Sequence, residues 1–490
     1  MEEGAVKRAW EWRLSFTQLL AFVAVAAPVV VALRFSLSTI DLAYLIRSGE
    51  FMLDTGDILR RDVFTFTVSG QEWLNQQWGA EIVFASIYRV GDWPLLALGR
   101  AALVGMAFWL VFLGCRARGA GQRPAAWLTL ASLVVSLDGL ALRPQLLGFA
   151  LFALALWMVA CRDKRPRSLW LLPVVVIVWA NVHGSFVLAP VVLLIAWLED
   201  RRRHAATTRT TLIVALVCVA SAVINPFGLR IWTYVADLGT DPEIRRAIAE
   251  WRPTTPWTPV GAVFFVSVAA VALIVVRARA GLRPHRVIGL GLFLVLGLVA
   301  VRGVFWWALA APVLIADLFA DGADERDDRS NLNTALAAAL GIAAIALLPW
   351  FRPTFASTAN SARVTDGLLA HSPQQFASRI PDIADPGARM FVPELWASWF
   401  EFSVRRYPVF VDPRIEIFPV EVWRAYDAVS RGDDGWDQIL DRWDVDILVL
   451  SREQQSGLIS RIEDHPTWTE VFEDADGLLL VRSPTPEDAA

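Results

Sequence analysis

The sequence predicts a polytopic α-helical membrane protein with a C-terminal α/β domain. Three observations carry that expectation. Hydrophobic residues make up 56% of the 490 residues and the mean hydropathy is +0.46, too apolar for a chain of two or three soluble domains. Apolar runs of the roughly 17–25 residues needed to cross a bilayer recur about eleven times. From about residue 352 the composition changes to short apolar runs, at 390–392, 409–411, 447–450 and 478–481, alternating with helical patterns at 420–430 and 454–462. Such alternation is the mark of a compact α/β domain.

The expected spans are 14–36, 93–114, 124–142, 144–161, 169–182, 185–199, 210–225, 260–277, 287–301, 304–320 and 332–350. The first follows Lys7, Arg8 and Arg13 as a signal peptide would, but the run 31–35 is a poor cleavage site, so it reads as a retained span. Orientation follows from the excess of Arg and Lys in short cytoplasmic loops. Arg116, Arg118 and Arg123 follow span two, and Arg162, Lys164, Arg165 and Arg167 follow span four. Arg201, Arg202, Arg203 and Arg209 follow span six, and Arg277, Arg279, Arg283 and Arg286 follow span eight. The acidic loop 321–330 departs from the pattern, but acidic residues weigh little in it. A cytoplasmic N-terminus in the cell (plasma) membrane is expected, with residues 1–350 as the membrane domain, a large first outer loop at 37–92, and 351–490 as an extracytoplasmic domain.

Composition also excludes. A net charge of −4 without a basic block gives nucleic acid no electrostatic footprint. Cys115, Cys161 and Cys218 fall in or beside spans, so the exported part has no disulfide framework. The chain has no GxGxxG, P-loop or GxSxG motif for dinucleotide, nucleotide or serine-hydrolase chemistry.

The longest and most acidic segment between spans runs from Thr39 to Asp92 and carries Asp41, Glu50, Asp54, Asp57, Asp62, Glu72 and Glu81. Leu42, Leu45, Ile46, Phe51, Met52 and Leu53 recur at helical spacing and predict a short helix along the membrane surface. A second helix is expected from near Trp73. Asp41, just past the first span, fits two roles. It is placed to take a proton from an acceptor hydroxyl, and it also suits a helix N-cap.

Arg143 and Arg302 interrupt apolar segments on the outer side, where a buried or interfacial guanidinium calls for a partner. A phosphate suits it, as does a neighbouring carboxylate or snorkelling to the interface. His183 lies in a short outer turn with Asn181, Gly184 and Ser185, residues that a turn needs on its own account. It has no second His or Cys at ligand spacing for zinc. Asn225 to Gly228 reads as a turn closing span seven. Trp251, Trp257, Trp306 and Trp307 suit an interfacial belt or a platform for a sugar ring. A divalent cation held by Asp41 and another carboxylate is the one cofactor the residues admit.

Together these features resemble the GT-C superfamily of bacterial membrane glycosyltransferases, similar in plan to the protein mannosyltransferases and other polyprenyl-phosphate sugar transferases. The segments that carry the resemblance are Asp41 to Gly49, Trp73 to Glu81, Leu142 to Gln145, Trp179 to Phe186, Asn225 to Gly228 and Val411 to Arg414. It implies a polyprenyl-phosphate sugar as donor, a glycan or protein acceptor, and a membrane-lipid setting. It also implies Asp41 as base or metal ligand, with Arg143, His183 and Arg302 toward the donor phosphate. Where related sequences read Asn-x-Glu-Trp, this chain has Asn75-Gln-Gln-Trp78, and Gln77 cannot act as a base; Glu81 or Asp62 would then supply a second carboxylate. Two rival readings are a non-catalytic scaffold for envelope assembly and a lipid or solute transporter. A transporter calls for repeated halves and deep ionisable residues, and the sequence shows no repeat.

Overall fold

The computed structural model describes residues 13–240, 249–278, 283–320, 329–357, 365–462 and 465–483. Lys7, Arg8, Arg245, Arg246, Arg279 and residues 321–328 lie outside the described residues. The chain divides into two compact units, Met1–Arg34 with Ala97–Phe351 and Phe35–Leu96 with Arg352–Ala490. The acidic segment 39–92 therefore belongs to the same unit as the C-terminal region.

The first unit is helical among its described residues apart from a short antiparallel pair, Leu14–Ser15 with Arg329–Ser330. Its longer helices are Phe16–Arg34, the second part of Trp78–Ala117, Gln122–Ser136, Pro144–Ala160, Leu188–Arg203, Thr208–Ser221, Pro259–Arg277, Pro284–Val299, Gly303–Ile315 and Asn331–Ala346. Phe16–Arg34, Trp78–Ala117 and Pro259–Arg277 are long and apolar enough to cross a membrane, and several shorter apolar helices accompany them. Pro144, Pro259 and Pro284 open their helices, where a missing N–H removes no hydrogen bond. Trp78–Ala117 is two helices joined at a kink. Asp92 has φ 56° there, and its Oδ1 accepts from the Trp93 N–H at 2.7 Å, starting the apolar half afresh.

Charges inside this unit are matched. Arg100, 2% exposed, donates to the Ala32 carbonyl at 2.7 Å, in the last turn of Phe16–Arg34 where carbonyls lack helical partners. Arg162, counted among the basic exits, is buried and donates to Asp200 at 2.9 Å and Glu199 at 2.8 Å. Thr207 and Thr211 complete the Asp200 carboxylate at 2.9 Å each.

The second unit is built on a four-stranded sheet in the order Met390–Phe391, Ile447–Ser451, Gly477–Arg482, Trp468–Glu473. The first pair is parallel and the others antiparallel, with Val449 opposite Leu479. Ile447–Ser451 is buried along its whole length, as its unbroken apolar run requires. Trp468–Glu473 is a largely exposed edge strand, and its polar composition hides it from a search for apolar runs. Helix Val420–Arg431 lays Val422, Tyr426 and Val429 inward, one stripe at i, i+4 and i+7.

The acidic segment 39–92, with the two residues before it, is woven into this unit. Leu37–Ser38 pairs with Leu369–Ala370, Thr65 bridges Val409, and Thr67 Oγ1 donates to the Phe410 carbonyl at 2.6 Å. The helix expected along the membrane surface is Thr39–Thr55, and its Leu42, Leu45, Ile46 and Met52 are buried. It packs instead on Glu394–Ser403, which buries Trp396, Ala397 and Phe400. Gly49 allows a further close approach: a Cβ there would lie 2.1 Å from the Glu81 carbonyl. The second helix begins at Trp78, five residues later than the expected start near Trp73.

Candidate functional site

In the helical unit, Arg143 is the N-cap residue of Pro144–Ala160 and Arg302 that of Gly303–Ile315. The N-terminal halves of these helices pack together, with the Phe149 ring 5.7 Å from Phe305 and 4.8 Å from Trp306. Two helix N-termini, each with unpaired N–H groups and the positive end of the dipole, thus share one locality. A guanidinium at such a position is repelled unless an anion joins it. Glu250 is that anion. Arg143 Nη1 donates to Oε1 at 2.5 Å and Arg302 Nη2 donates to Oε2 at 2.8 Å. Burial works to raise the Glu250 carboxyl, but Arg143 and Arg302 outweigh it and hold it at about 2. The Trp251 ring lies 4.6 Å from the Arg302 guanidinium, a stacking that fixes its plane.

His183 stands close by. Its ring centre is 6.4 Å from that of Trp306, and the Arg302 charge acts on it. The His183 Nδ1 accepts from the Ser185 N–H at 3.1 Å and lies 2.7 Å from Ser185 Oγ, which accepts from Trp179 Nε1 at 3.0 Å. Gly148 makes room for this knot, since a Cβ there would lie 2.8 Å from Ser185 Oγ. Burial first, then Arg302, lowers the His183 imidazole to about 3, so it is neutral at ordinary pH. The three residues expected to face a phosphate are therefore brought together, two as cations and one as a neutral hydrogen-bonding group. Side-chain exposures of 31% for Arg143, 34% for Glu250 and 24% for Arg302 leave the cluster open to a ligand.

In the second unit, Asp41 occupies the first turn of Thr39–Thr55, and the N-cap position belongs to Ser38. The capping role is thus not Asp41's, although its charge still suits the positive helix end. It is partly exposed. Burial foremost, then the Asp41 charge, keeps the Tyr44 phenol protonated far above its usual range.

Below Tyr44 lies Arg414, fully buried. Its guanidinium donates through Nη2 to Asp62 Oδ1 at 2.5 Å and through Nε to both Asp412 oxygens at 3.0 Å. The rings of Trp73, Phe64 and Tyr44 surround it at 4.7, 5.0 and 6.0 Å. Asp412 Oδ1 also accepts from the Arg414 N–H at 2.8 Å, so Val411 to Arg414 is an Asx turn as well as an ion-pair centre. Burial, then the Asp412 carboxylate, pushes the Glu401 carboxyl well above its ordinary range.

Asp62 is committed to Arg414, and its Oδ2 accepts from Thr65 Oγ1 at 2.8 Å. Glu81 is buried, with Oε2 accepting from Asn75 Nδ2 at 2.6 Å. Gln77 starts its helix, its carbonyl accepting from the Ala80 and Glu81 N–H groups. Of the candidate carboxylates in this unit, Asp41 is the one that solvent reaches. Among the described residues no three His, Cys, Asp or Glu side chains are grouped to hold a metal ion. Glu250 is the central residue that local pattern did not single out, and for Arg414, within the Val411 to Arg414 segment, the pairing with Asp62 was not foreseen.

No protein-family model matches the chain, and no curated protein does. Solved structures do. The oligosaccharyltransferase AglB of Archaeoglobus fulgidus, in complex with an inhibitory peptide and a dolichol-phosphate, aligns at 12% identity with a TM-score of 0.56, over 95% of this chain and 74% of its own. The same organism's enzyme in its apo form aligns at 13% identity and TM-score 0.54 over the same shares. ArnT from Cupriavidus metallidurans in the apo state aligns at 15% identity and TM-score 0.52, over 95% of this chain and 98% of its own.

The chain shares the fold of these solved structures. Likeness at this identity concerns the fold, and among the described residues three helices are long and apolar enough to cross a membrane. The Arg143, Glu250 and Arg302 cluster holds two guanidiniums on one carboxylate, an arrangement suited to a compact anion, and Asp41 is a carboxylate that solvent reaches.

Proposed function

We propose that this chain transfers a sugar, with inversion, from a polyprenyl-phosphate donor to a glycan or protein acceptor outside the cytoplasm. The observation that carries the reading is the convergence of Arg143 and Arg302 on one carboxylate beside neutral His183, in a chain with the GT-C fold. Two guanidiniums and two helix N-termini suit a phosphate. The A. fulgidus AglB structure contains a dolichol-phosphate and a peptide, which supports a lipid-linked donor and an outer acceptor here.

In the proposed reaction the acceptor oxygen attacks the anomeric carbon as its proton passes to Asp41. The bond from that carbon to the phosphate oxygen breaks, and Arg143 and Arg302 offset the charge on the departing phosphate. His183, being neutral, contributes a hydrogen bond rather than a charge. The reading takes the N-terminus as cytoplasmic, about eleven spans of roughly 20 residues, and both 37–92 and 351–490 as extracytoplasmic.

A scaffold that binds the donor without turning it over is the second reading. It is favoured by one observation, the burial of Asp62 and Glu81, which leaves Asp41 without a second accessible carboxylate among the candidates. The test is transfer of radiolabelled sugar from a panel of polyprenyl-phosphate donors in membranes with and without the chain. Label reaching an acceptor only with the chain supports the transferase. Tight donor binding with no transfer from any donor replaces it with the scaffold.

A further inference from the structure

Glu250 holds the position that an incoming anion would need. Each of its carboxylate oxygens takes a different guanidinium, Oε1 from Arg143 and Oε2 from Arg302, the fork that a phosphate's oxygens would otherwise fill. Its backbone is tied independently of that carboxylate. The Arg302 N–H donates to the Glu250 carbonyl at 3.1 Å and the Val301 N–H donates to the Arg252 carbonyl at 3.1 Å. Thr254 continues the attachment, its N–H to Leu298 at 3.1 Å and its Oγ1 to Gly297 at 2.5 Å. Rotation about the Glu250 side-chain bonds therefore breaks its two bonds to the guanidiniums without moving the main chain. Trp251 keeps the Arg302 plane in position.

We infer that Glu250 is a built-in competitor for the donor phosphate: its carboxylate occupies the Arg143 and Arg302 pair in the resting protein and swings aside when the phosphate binds. This rests on the reading of the pair as the donor-phosphate site. Ground-state closure of this kind keeps adventitious anions off the pair and sets a threshold that only a ligand with additional binding, such as a lipid chain, overcomes. Charge-assisted hydrogen bonds are the strong ones, so removing the internal anion has a large effect. The glutamine variant keeps the shape and the backbone ties while losing the charge.

The experiment compares farnesyl phosphate binding by the full chain in nanodiscs with that of E250Q, with Arg143→Gln and Arg302→Gln alongside. E250Q binding at least about tenfold tighter, a change equivalent to about 1.4 kcal/mol, is the expected result. Inorganic phosphate, which has the headgroup and no chain, then competes more effectively in E250Q than in the native chain. Equal or weaker binding by E250Q overturns the inference, and if Arg143→Gln or Arg302→Gln still weakens native binding, the phosphate-site reading stands without it. Tightening confined to the lipid, with no gain for inorganic phosphate, also overturns it. Absence of binding by both the native chain and E250Q overturns the inference and the phosphate-site reading together.

Discussion

Arg302 and Glu250 are joined twice: the Arg302 backbone N–H donates to the Glu250 carbonyl at 3.1 Å, and the Arg302 guanidinium donates to its carboxylate at 2.8 Å. The first contact positions the segment and the second presents the charge. With the ring of Trp251 over the guanidinium, Arg302 is oriented from three sides.

That orientation makes Arg302→Lys a poor replacement. An ammonium neither stacks flat on Trp251 nor forks to two oxygens. The donor KM is expected to rise about tenfold or more in Arg302→Gln, as loss of a charge-assisted bond implies, with Lys restoring only part. Initial transfer rates across donor concentrations check this; unchanged KM in both variants would separate Arg302 from the donor.

Arg414 is buried in the second unit, and its partners Asp62 and Asp412 are buried with it. Removing one member strands the others in a low-dielectric interior. Arg414→Met is expected to destabilise the protein by about 3–5 kcal/mol, read as a fall in the thermal unfolding midpoint of purified protein. A midpoint equal to the native one would show that Asp62 and Asp412 find other partners.

Much of the helical layout was legible because apolar runs and Pro at helix starts are local signals. Arg143-Pro144 marks a helix start, and the Gly184 turn between two apolar runs marks His183 as a turn residue. The partners were not legible. Glu250 lies in a polar loop with nothing to distinguish it, and Arg414 meets Asp62 across 352 positions. Ion pairs of that separation follow from tertiary packing and leave no spacing to detect. The burial of Leu42, Leu45 and Ile46 likewise depended on an apolar helix, Glu394–Ser403, from the far end of the chain. Periodicity could mark that apolar set without naming what would cover it.

Glu401 gives the second unit a pH dependence. A carboxyl raised in the folded state above its ordinary value of 4.5 stabilises fully below that value, and the contribution is lost as pH rises through the folded one. Unfolding midpoints should therefore fall as pH is raised above about 4.5. Glu401→Gln, neutral at every pH, should flatten that slope, and Glu416, also raised by burial, leaves a remainder. Identical slopes for the native chain and the variant would remove Glu401 as the cause.

Asp41 is the accessible acid among Asp41, Asp62 and Glu81. The most direct measurement is the rate of radiolabelled sugar transfer from a polyprenyl-phosphate donor by purified native chain and by Asp41→Asn, with unfolding midpoints measured on the same samples. The account predicts equal midpoints and a transfer rate lower by about 10²–10⁴-fold in the variant, the usual contribution of a general base. Native transfer rates in a folded Asp41→Asn protein would contradict it.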